Sequence, residues 1–367
     1  MILLEAILIL YVFLIALLVV GFIKLPIPNI PQDKIPITGF SILIPFRNEA
    51  ENLERLLLSL AALKYPEARF EILLINDAST DASVKIIETF LLTHKLPLKI
   101  LDNERFSGSP KKDALTKGIA HATFDWIVTT DADCQVPVLW LDQFNALAVK
   151  NSIQFIAGPV SFFSENGILN AFQHLDFLSL QGATIGSFGL NQAFICNGAN
   201  LAFSKIEFLR LNGYEKTNHI ASGDDLFLMQ KFSKANPKGV VYLKTKEALV
   251  LTTTQKTFND LLQQRKRWAA KASAYTSGFA IATSFLVFFG NFSVLVGFFL
   301  LEQMAFLILL KFTLDFTLIY LSATLFDQKN VLKHFIWVVL VYPFFTVYVA
   351  VASQFGKFEW KGRAFKK

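Results

Sequence analysis

Cysteine is scarce in this chain: only Cys134 and Cys196 carry a thiol. Two thiols cannot make a disulfide framework, and neither has a partner at metal-ligand spacing. That excludes a disulfide-stapled secreted module and fits a reducing compartment. Histidine is nearly as rare, with five residues, and His174 and His219 have no ligand spacing around them, so both read as core or surface residues. No internal repeat or low-complexity tract is present, which excludes a repeat architecture. The start of the chain also lacks the marks of a cleaved signal peptide. It has no basic residue ahead of the apolar stretch, no small-residue cleavage site, and an acid at Glu5.

What the chain has in abundance is apolar sequence. A hydrophobic share of 53% and a mean hydropathy of +0.45 exceed what a soluble protein carries and predict a membrane enzyme. Ile2 to Ile23 is interrupted only by Glu5, long enough to cross a bilayer, which takes about 20 residues. Residues 1–24 therefore read as an uncleaved anchor. Pro26, Pro28, Pro31 and Pro36 cannot continue a helix and make 25–37 a stiff linker. Beyond it, 38–256 reads as a catalytic domain and 257–276 as an amphipathic interface helix. Residues 277–356 hold three apolar segments near 277–300, 303–326 and 334–355. In the middle one Lys311 and Asp315 stand four apart on one helical face, where pairing lowers the cost of burial. The net charge of +6 is partly concentrated in the tail 357–367 by Lys357, Lys361, Arg363, Lys366 and Lys367. A basic tail beside apolar spans points to anionic lipid headgroups rather than nucleic acid.

From Phe40 the pattern alternates: strands over Phe40–Pro45, Phe70–Asn76, Leu98–Leu101 and from Trp126, with helices over Glu49–Leu63, Ser83–Thr93 and Lys112–His121 between them. Repeated βα units predict an α/β fold with a doubly wound, mostly parallel sheet. Further strands are expected over 153–160, 194–203 and 239–243, with a Phe-rich helix between Gly167 and Gly189. The strand from Trp126 stops at Asp131-Ala132-Asp133. Carboxylates at a strand's carboxyl end sit where α/β sheets bind ligands, and alternation along an extended segment would turn both to one side. Their hard oxygens suit Mg²⁺ or Mn²⁺ holding a diphosphate. Alone, that spacing is a weak signal. Two earlier strands deliver polar clusters to the same edge, Arg47-Asn48-Glu49 and Asn76-Asp77-Ala78-Ser79-Thr80-Asp81. Asp77 is placed to accept from a base's imide N–H, and Ser79 to Asp81 read as a helix cap. Lys111 and Lys112 open a helix after Gly108-Ser109-Pro110, where lysine and free N–H groups meet phosphate or solvent.

These residues carry a resemblance. Pro45-Phe46-Arg47-Asn48-Glu49 resembles the opening of glycosyltransferase family 2, Asn76 to Asp81 is similar to its uridine loop, and Asp131-Ala132-Asp133 is similar to its DxD motif. Gly223-Asp224-Asp225-Leu226 resembles the acidic pair whose second member is the family's general base. Gln264-Arg265-Lys266-Arg267-Trp268 is similar to the QxxRW motif of the cellulose synthase and ceramide glucosyltransferase branches. Asn197-Gly198-Ala199-Asn200 resembles the acceptor loop, although by itself it reads as a polar turn.

The resemblance implies a GT-A-like fold over about residues 38–275. It implies donor contacts from Pro45, Arg47, Glu49, Asp77, Lys111, Asp131, Gln264, Arg267 and Trp268, and acceptor contacts from Asn197, Gly198 and Asp224. Asp131 and Asp133 would hold Mg²⁺ or Mn²⁺, with Asp225 as base. Two departures stand out: Asn76 replaces a common acid, and the acidic pair is Asp-Asp rather than Glu-Asp.

The expectation is a metal-dependent inverting glycosyltransferase that moves a sugar from a nucleotide sugar, a UDP-sugar by expectation, to a lipid or glycan acceptor at the membrane. A polysaccharide synthase subunit, a non-catalytic nucleotide-sugar-binding protein and a transporter compete with it. Retention of Asp225 argues against mere binding, which needs no base. Too few spans for a polymer channel favour a lipid-linked acceptor. The catalytic domain is expected to face the cytosol of a bacterial inner membrane, with Lys24 just after the first span. Keeping Trp360 to Arg363 on that side requires one of the three C-terminal apolar segments to be interfacial or re-entrant. On the helix from Phe258, the residues Leu261, Leu262, Arg265, Trp268 and Ala272 share a side, as a helix lying along a membrane surface would arrange them.

Overall fold

The structure, a computed structural model, describes residues 1–28, 36–220, 222–355, 358–360 and 363–365. Most of the Pro-rich linker lies outside the described residues, as do Lys357, Lys361, Gly362, Lys366 and Lys367 of the tail and most of the readings placed on them. The chain forms two compact units. A sheet unit comprises Pro26–Phe163 and Ile195–Thr253, and a helical unit comprises Met1–Leu25, Ser164–Phe194 and Thr254–Lys367. Ser164–Phe194 thus groups with the apolar helices, although it interrupts the sheet unit in sequence.

The sheet unit runs β1 (Phe40–Phe46), α2 (Leu53–Ala61), β2 (Phe70–Asn76), α3 (Ser83–Thr93), β3 (Leu98–Asp102), α4 (Pro110–His121), β4 (Trp126–Thr129) and α5 (Trp140–Ala148). It continues with β5 (Phe155–Ala157), β6 (Val160–Phe162), β7 (Leu201–Ser204), α7 (Lys205–Arg210), α8 (Asp224–Ala235), β8 (Val240–Tyr242) and β9 (Val250–Thr252). The main sheet has the order β3-β2-β1-β4-β7-β5-β8. It is mostly parallel; β7 runs antiparallel to both its neighbours. Helices cover a parallel sheet on both faces, so its strands are apolar throughout: Phe40, Ile42, Leu43 and Ile44 of β1 are all fully buried. Phe40 stands level with Phe70 and with Trp126, and this common register brings the loops after β1, β2 and β4 to one edge. Under β5 and β7, Phe155 stacks near Phe203 (6.3 Å) and Phe232 (5.3 Å), contacts each adding about 0.5–1.5 kcal/mol beyond burial.

Three local expectations change. The strand expected over 153–160 is two strands, because Pro159 has no N–H for the ladder; β6 leaves the main sheet and pairs with β9. The strand expected over 194–203 begins only at Leu201, since a turn closed by Asn200 N–H on Asn197 O (3.1 Å) precedes it. β4 ends at Thr129, and Asp131-Ala132-Asp133 forms a turn closed by Cys134 N–H on Asp131 O (3.2 Å). Strand alternation therefore does not set where these carboxylates point.

The helical unit contains α1 (Ile2–Lys24), α6 (Ile168–Gly189), α9 (Phe258–Ala270), α10 (Gly278–Gly297), α11 (Leu301–Leu325) and α12 (Phe335–Ala352), and a short hairpin, β10 (Phe358–Trp360) with β11 (Arg363–Phe365). Among the described residues, four helices are long and apolar enough to cross a membrane: Ile2–Lys24, Gly278–Gly297, Glu302–Leu325 and Lys329–Ala352. Leu8, Val294, Met304 and Ile308 form a core among α1, α10 and α11. Lys311 pairs with Asp315 at 2.7 Å as the spacing predicts. Tyr11 of α1 donates its hydroxyl to the same carboxylate at 2.8 Å, and the ammonium lies 4.8 Å from the Tyr11 ring.

The Phe-rich α6 does not present a broad apolar face outward: from Leu169 to Gly189 none of its residues is exposed. Its backbone meets that of α1 through glycine. A Cβ on Gly186 would stand 2.3 Å from Leu18 O, and one on Gly21 would stand 2.1 Å from Gly186 O. Such close approach is how helices pack in hydrocarbon, where dispersion replaces the hydrophobic drive. Gly186→Leu should therefore force the two helices apart and lower stability by about 1–3 kcal/mol or more. This would appear as a lower melting midpoint in detergent, while Gly278→Ala, with nothing within 4 Å of the added carbon, leaves the midpoint in place.

Candidate active site

The level strand ends build the site from consecutive loops. After β1, Arg47 donates Nη1 to the carbonyls of Asp77 (2.7 Å) and Ala78 (3.0 Å) in the loop after β2. Ala78 adopts φ +56°, a conformation that costs an L-residue about 1–2 kcal/mol and that this guanidinium pins. The two loops are stitched further by Thr80 N–H on Asn48 Oδ1 (2.8 Å) and Ala50 N–H on Asp81 Oδ2 (3.0 Å). Asp81 also accepts from Ser83 N–H (3.0 Å), a turn just ahead of α3, whose N-cap is Ala82 without a side-chain cap bond rather than the expected Ser79 to Asp81. Glu49 is buried and accepts from Asn52 Nδ2 (2.8 Å). Pro45 occupies β1 opposite Ile75.

Asp77 is buried, and its Oδ1 accepts from Arg105 Nε (2.5 Å) and Asn103 Nδ2 (2.9 Å). Sequence reasoning missed both donors. They follow β3 at the same edge, and the βα alternation alone was enough to flag that loop. Arg105 is partly open to solvent, and its Nη2 also donates to Asp77 O (3.0 Å).

The carboxylates gather around α4. Lys111 Nζ lies 2.7 Å from Asp131 Oδ1 and 3.1 Å from Asp224 Oδ2. Burial works against its charge, but Asp131, Asp224 and Asp225 outweigh burial and hold the ammonium well above its ordinary range. Asp224 and Asp225 open α8, where the helix N-terminus favours negative charge. Asp225 Oδ2 accepts from Gly198 N–H (3.1 Å) and Oδ1 from Leu226 N–H (2.7 Å). A Cβ on Gly198 would stand 3.0 Å from Asp224 Oδ2 and 3.4 Å from Lys111 Nζ, so the missing side chain is what lets this backbone reach both acids. Thr129 Oγ1 ties Gly198 O to the end of β4 (2.8 Å). The turn carrying Asn197 and Gly198 stands on Asn200. This fully buried residue donates to Pro159 O (2.7 Å) and Ala248 O (2.8 Å) and accepts from Trp140 Nε1 (2.9 Å). Asp133 lies beside Cys134, whose thiol burial and the neighbouring Asp133 and Asp131 push well up. Among the described residues, no three His, Cys, Asp or Glu stand close enough to hold a metal ion by themselves.

Asp77, Lys111, Asp131, Asp133, Asn197, Gly198, Asp224 and Asp225 therefore all lie in the sheet unit, whereas Gln264, Arg267 and Trp268 lie on α9 in the helical unit. Lys112 departs from the phosphate or solvent role its position allows: it is 1% exposed and donates to Thr217 O (2.6 Å) and Ile220 O (3.0 Å).

The family models bear directly on this arrangement. Residues 41–205 match the one described as glycosyl transferase family 2, and residues 126–351 match glycosyl transferase family group 2. The chain is a family 2 glycosyltransferase. Among its relatives, a poly-beta-1,6-N-acetyl-D-glucosamine synthase of Staphylococcus epidermidis is 28% identical over 64% of this chain and 54% of its own length. Glycosyltransferase AglE of Haloferax volcanii is 25% identical over 53% of this chain and 61% of its own. The chain thus spans about half to three-fifths of the length of these curated relatives. A mannosyltransferase of Pyrobaculum calidifontis, solved with GDP-Man and Mn²⁺, shares the fold at a TM-score of 0.57 and 18% identity, over 96% of this chain and 99% of that one.

In this glycosyltransferase Lys112 fastens the segment that leads into the acidic pair. Lys112→Met should remove hydrogen bonds to a charged donor worth about 1.5–3 kcal/mol. Amide exchange across residues 212–222 should then quicken about tenfold or more, read by hydrogen-exchange mass spectrometry; unchanged exchange there would show that the lysine does not hold the segment.

Proposed function

We propose that this glycosyltransferase transfers a sugar, with inversion, from a nucleotide sugar to the hydroxyl of a lipid-linked acceptor at a bacterial inner membrane, with its sheet unit on the cytosolic side. The observation that carries the reading is the meeting of Asp131 and Asp224 on one lysine, with Asp225 held by the Gly198 amide. One loop edge thus holds donor-side and acceptor-side carboxylates together, with a cation between them.

Asp77 offers an acceptor to a base's ring N–H, which uracil and guanine carry and adenine and cytosine lack in their neutral forms. Arg105 beside it supplies donors for the carbonyl oxygen next to such an N–H. UDP-sugars are the donors proposed. Asp131 and Asp133 are the residues to hold Mg²⁺ or Mn²⁺. Two carboxylates without a third protein ligand fit a cation that takes its other oxygens from phosphate and water. When bound, that ion neutralises charge developing on the departing diphosphate. Lys111, already against Asp131, would meet the same phosphates. Asp225 takes the acceptor hydroxyl's proton as the oxygen attacks the anomeric carbon opposite the leaving group, which inverts the centre. The Gly198 and Leu226 amides fix the orientation of its carboxylate.

A second reading, polymer synthesis, has a specific support in the staphylococcal relatives named as synthases of a β-1,6-linked N-acetylglucosamine polymer. Against it stands the cost of a carbohydrate path through hydrocarbon, since the four candidate spans among the described residues carry one ion pair, Lys311 with Asp315, and a few neutral polar side chains such as Thr283, Asn291 and Ser293. Incubating the purified protein with a panel of nucleotide sugars and native lipid extract separates the two. A single labelled lipid carries the proposal, whereas a water-soluble ladder without labelled lipid overturns it.

Two substitutions divide the roles. Asp225→Asn should keep UDP affinity and lose transfer by about 10²–10⁴-fold, the usual worth of a general base. Asp133→Asn should lose transfer and Mn²⁺-dependent UDP binding together, measured by calorimetry with and without the ion; intact Mn²⁺-dependent binding would remove Asp133 from the cation site.

A further inference from the structure

The helix α9 carries one charge where its packing asks for an apolar side chain. Leu261, Arg265 and Trp268 recur at the spacing of a helix's inward stripe; Leu261 and Arg265 are buried and Trp268 is half-buried. Arg265 Nε lies 2.7 Å from Asp176 Oδ2 of α6, and the two side chains are only 6% and 5% exposed. Its Nη1 donates to Gln264 Oε1, and its guanidinium carbon lies 4.2 Å from the centre of the Trp268 ring. Phe177, next to Asp176, brings its ring to 6.2 Å from that of Trp268. Nη2 is buried and has no hydrogen-bond partner among the described residues.

A buried ion pair is a poor way to gain stability. Replacing one by well-packed apolar residues is often neutral or stabilising by about 1–4 kcal/mol, because neither charge then has to be desolvated. What the pair supplies here is direction. Aliphatic side chains reaching from α9 to α6 would tolerate several rotations of α9, whereas Asp176 accepts from Arg265 in one. Arg265 in turn touches two further residues, Gln264 through a hydrogen bond and Trp268 through its ring face, and these are the first and last positions of the QxxRW pattern. Arg265 itself fills a position that the pattern leaves unspecified.

We infer that Asp176 and Arg265 are positioning residues for transfer: Asp176 orients Arg265, and Arg265 fixes the Gln264 amide and the Trp268 ring in the poses the reaction uses. The inference rests on the proposed function together with the donor contacts that the family resemblance implies for Gln264 and Trp268. It assigns Asp176, in a Phe-rich stretch of unremarkable sequence, a role in the chemistry without contact to substrate.

The test is the double replacement Asp176→Leu with Arg265→Met, which removes both charges at once and leaves no buried ion unpaired. A merely structural pair predicts an unchanged or higher melting midpoint and unchanged kinetics. Positioning predicts the same midpoint with kcat lowered at least tenfold, whatever the accompanying change in donor KM. The difference emission spectrum between each protein and its Trp268→Phe counterpart, which isolates one of the five tryptophans, should shift to the red and become open to acrylamide. Arg265→Lys keeps the charge without the planar fork; it should fall between wild type and the double variant in kcat, and it carries the same readouts if the double variant does not fold. Unchanged Trp268 emission with unchanged kcat overturns the inference. A shifted Trp268 emission with unchanged kcat instead overturns the donor role of the QxxRW residues, the reading beneath it. A fall in melting midpoint that accompanies the fall in kcat, and that Arg265→Lys shares, also overturns positioning, because it marks a general loss of the fold.

Discussion

Parallel strands that share one register send the loops after them to one edge of the sheet, and the site in the sheet unit depends on that register. Phe40, Phe70 and Trp126 stand side by side, so the loops after β1, β2 and β4 leave the sheet at one edge whatever their sequences. Each loop is then free to carry polar residues that the strands, buried on both faces, cannot. The antiparallel β7 adds one element to the same place: the turn before it, held by Asn200, brings Gly198 to the end of β4 through the Thr129 hydroxyl. A backbone amide and two acids from different parts of the chain meet there because the sheet leaves them no other exit.

Three carboxylates within reach of one another repel, and the chain answers with a lysine rather than with burial. At an effective dielectric near 20, two unit charges about 4 Å apart interact by roughly 4 kcal/mol, so Asp131 and Asp224 each gain substantially from the ammonium between them. The adjacent lysine has a different part. Lys112 turns inward to collect two backbone carbonyls, and Lys231 collects those of Gly213 (2.5 Å) and Glu215 (2.9 Å) from the other side. Two buried or half-buried cations thus replace regular secondary structure in holding the segment before α8, whose own backbone at Asn212, Lys216 and Gly223 takes positive φ.

The helical unit meets the opposite problem, since it has apolar area in excess and few polar groups. Its deeply buried charges are paired: Lys311 with Asp315, whose carboxylate also accepts from the Tyr11 hydroxyl, and Arg265 with Asp176. Where side chains would hold backbones apart, glycine removes them, as at Gly21 and Gly186. Polar pairs fix rotation and register, and glycine fixes distance. Dispersion supplies the attraction.

Periodicity and composition determined the apolar helices, the βα alternation and the mostly parallel sheet, because these arise from burial patterns local to each segment. The ordered motifs likewise marked Asp77, Asp131 and the Asp224-Asp225 pair from sequence. Sequence did not determine which group each of these would face. Lys111 and Lys112 are neighbours with the same chemistry, and only the packing of α4 sends one to the carboxylates and the other to backbone carbonyls. Asn200 looks like any turn residue until Trp140, Pro159 and Ala248 surround it. Asp176 is one acid in an apolar run, and its partner lies 89 residues away in sequence. A local pattern specifies whether a side chain will be buried, since burial repeats with the element's own period. Its partner comes from another element, and that pairing exists only once tertiary structure has brought the two together.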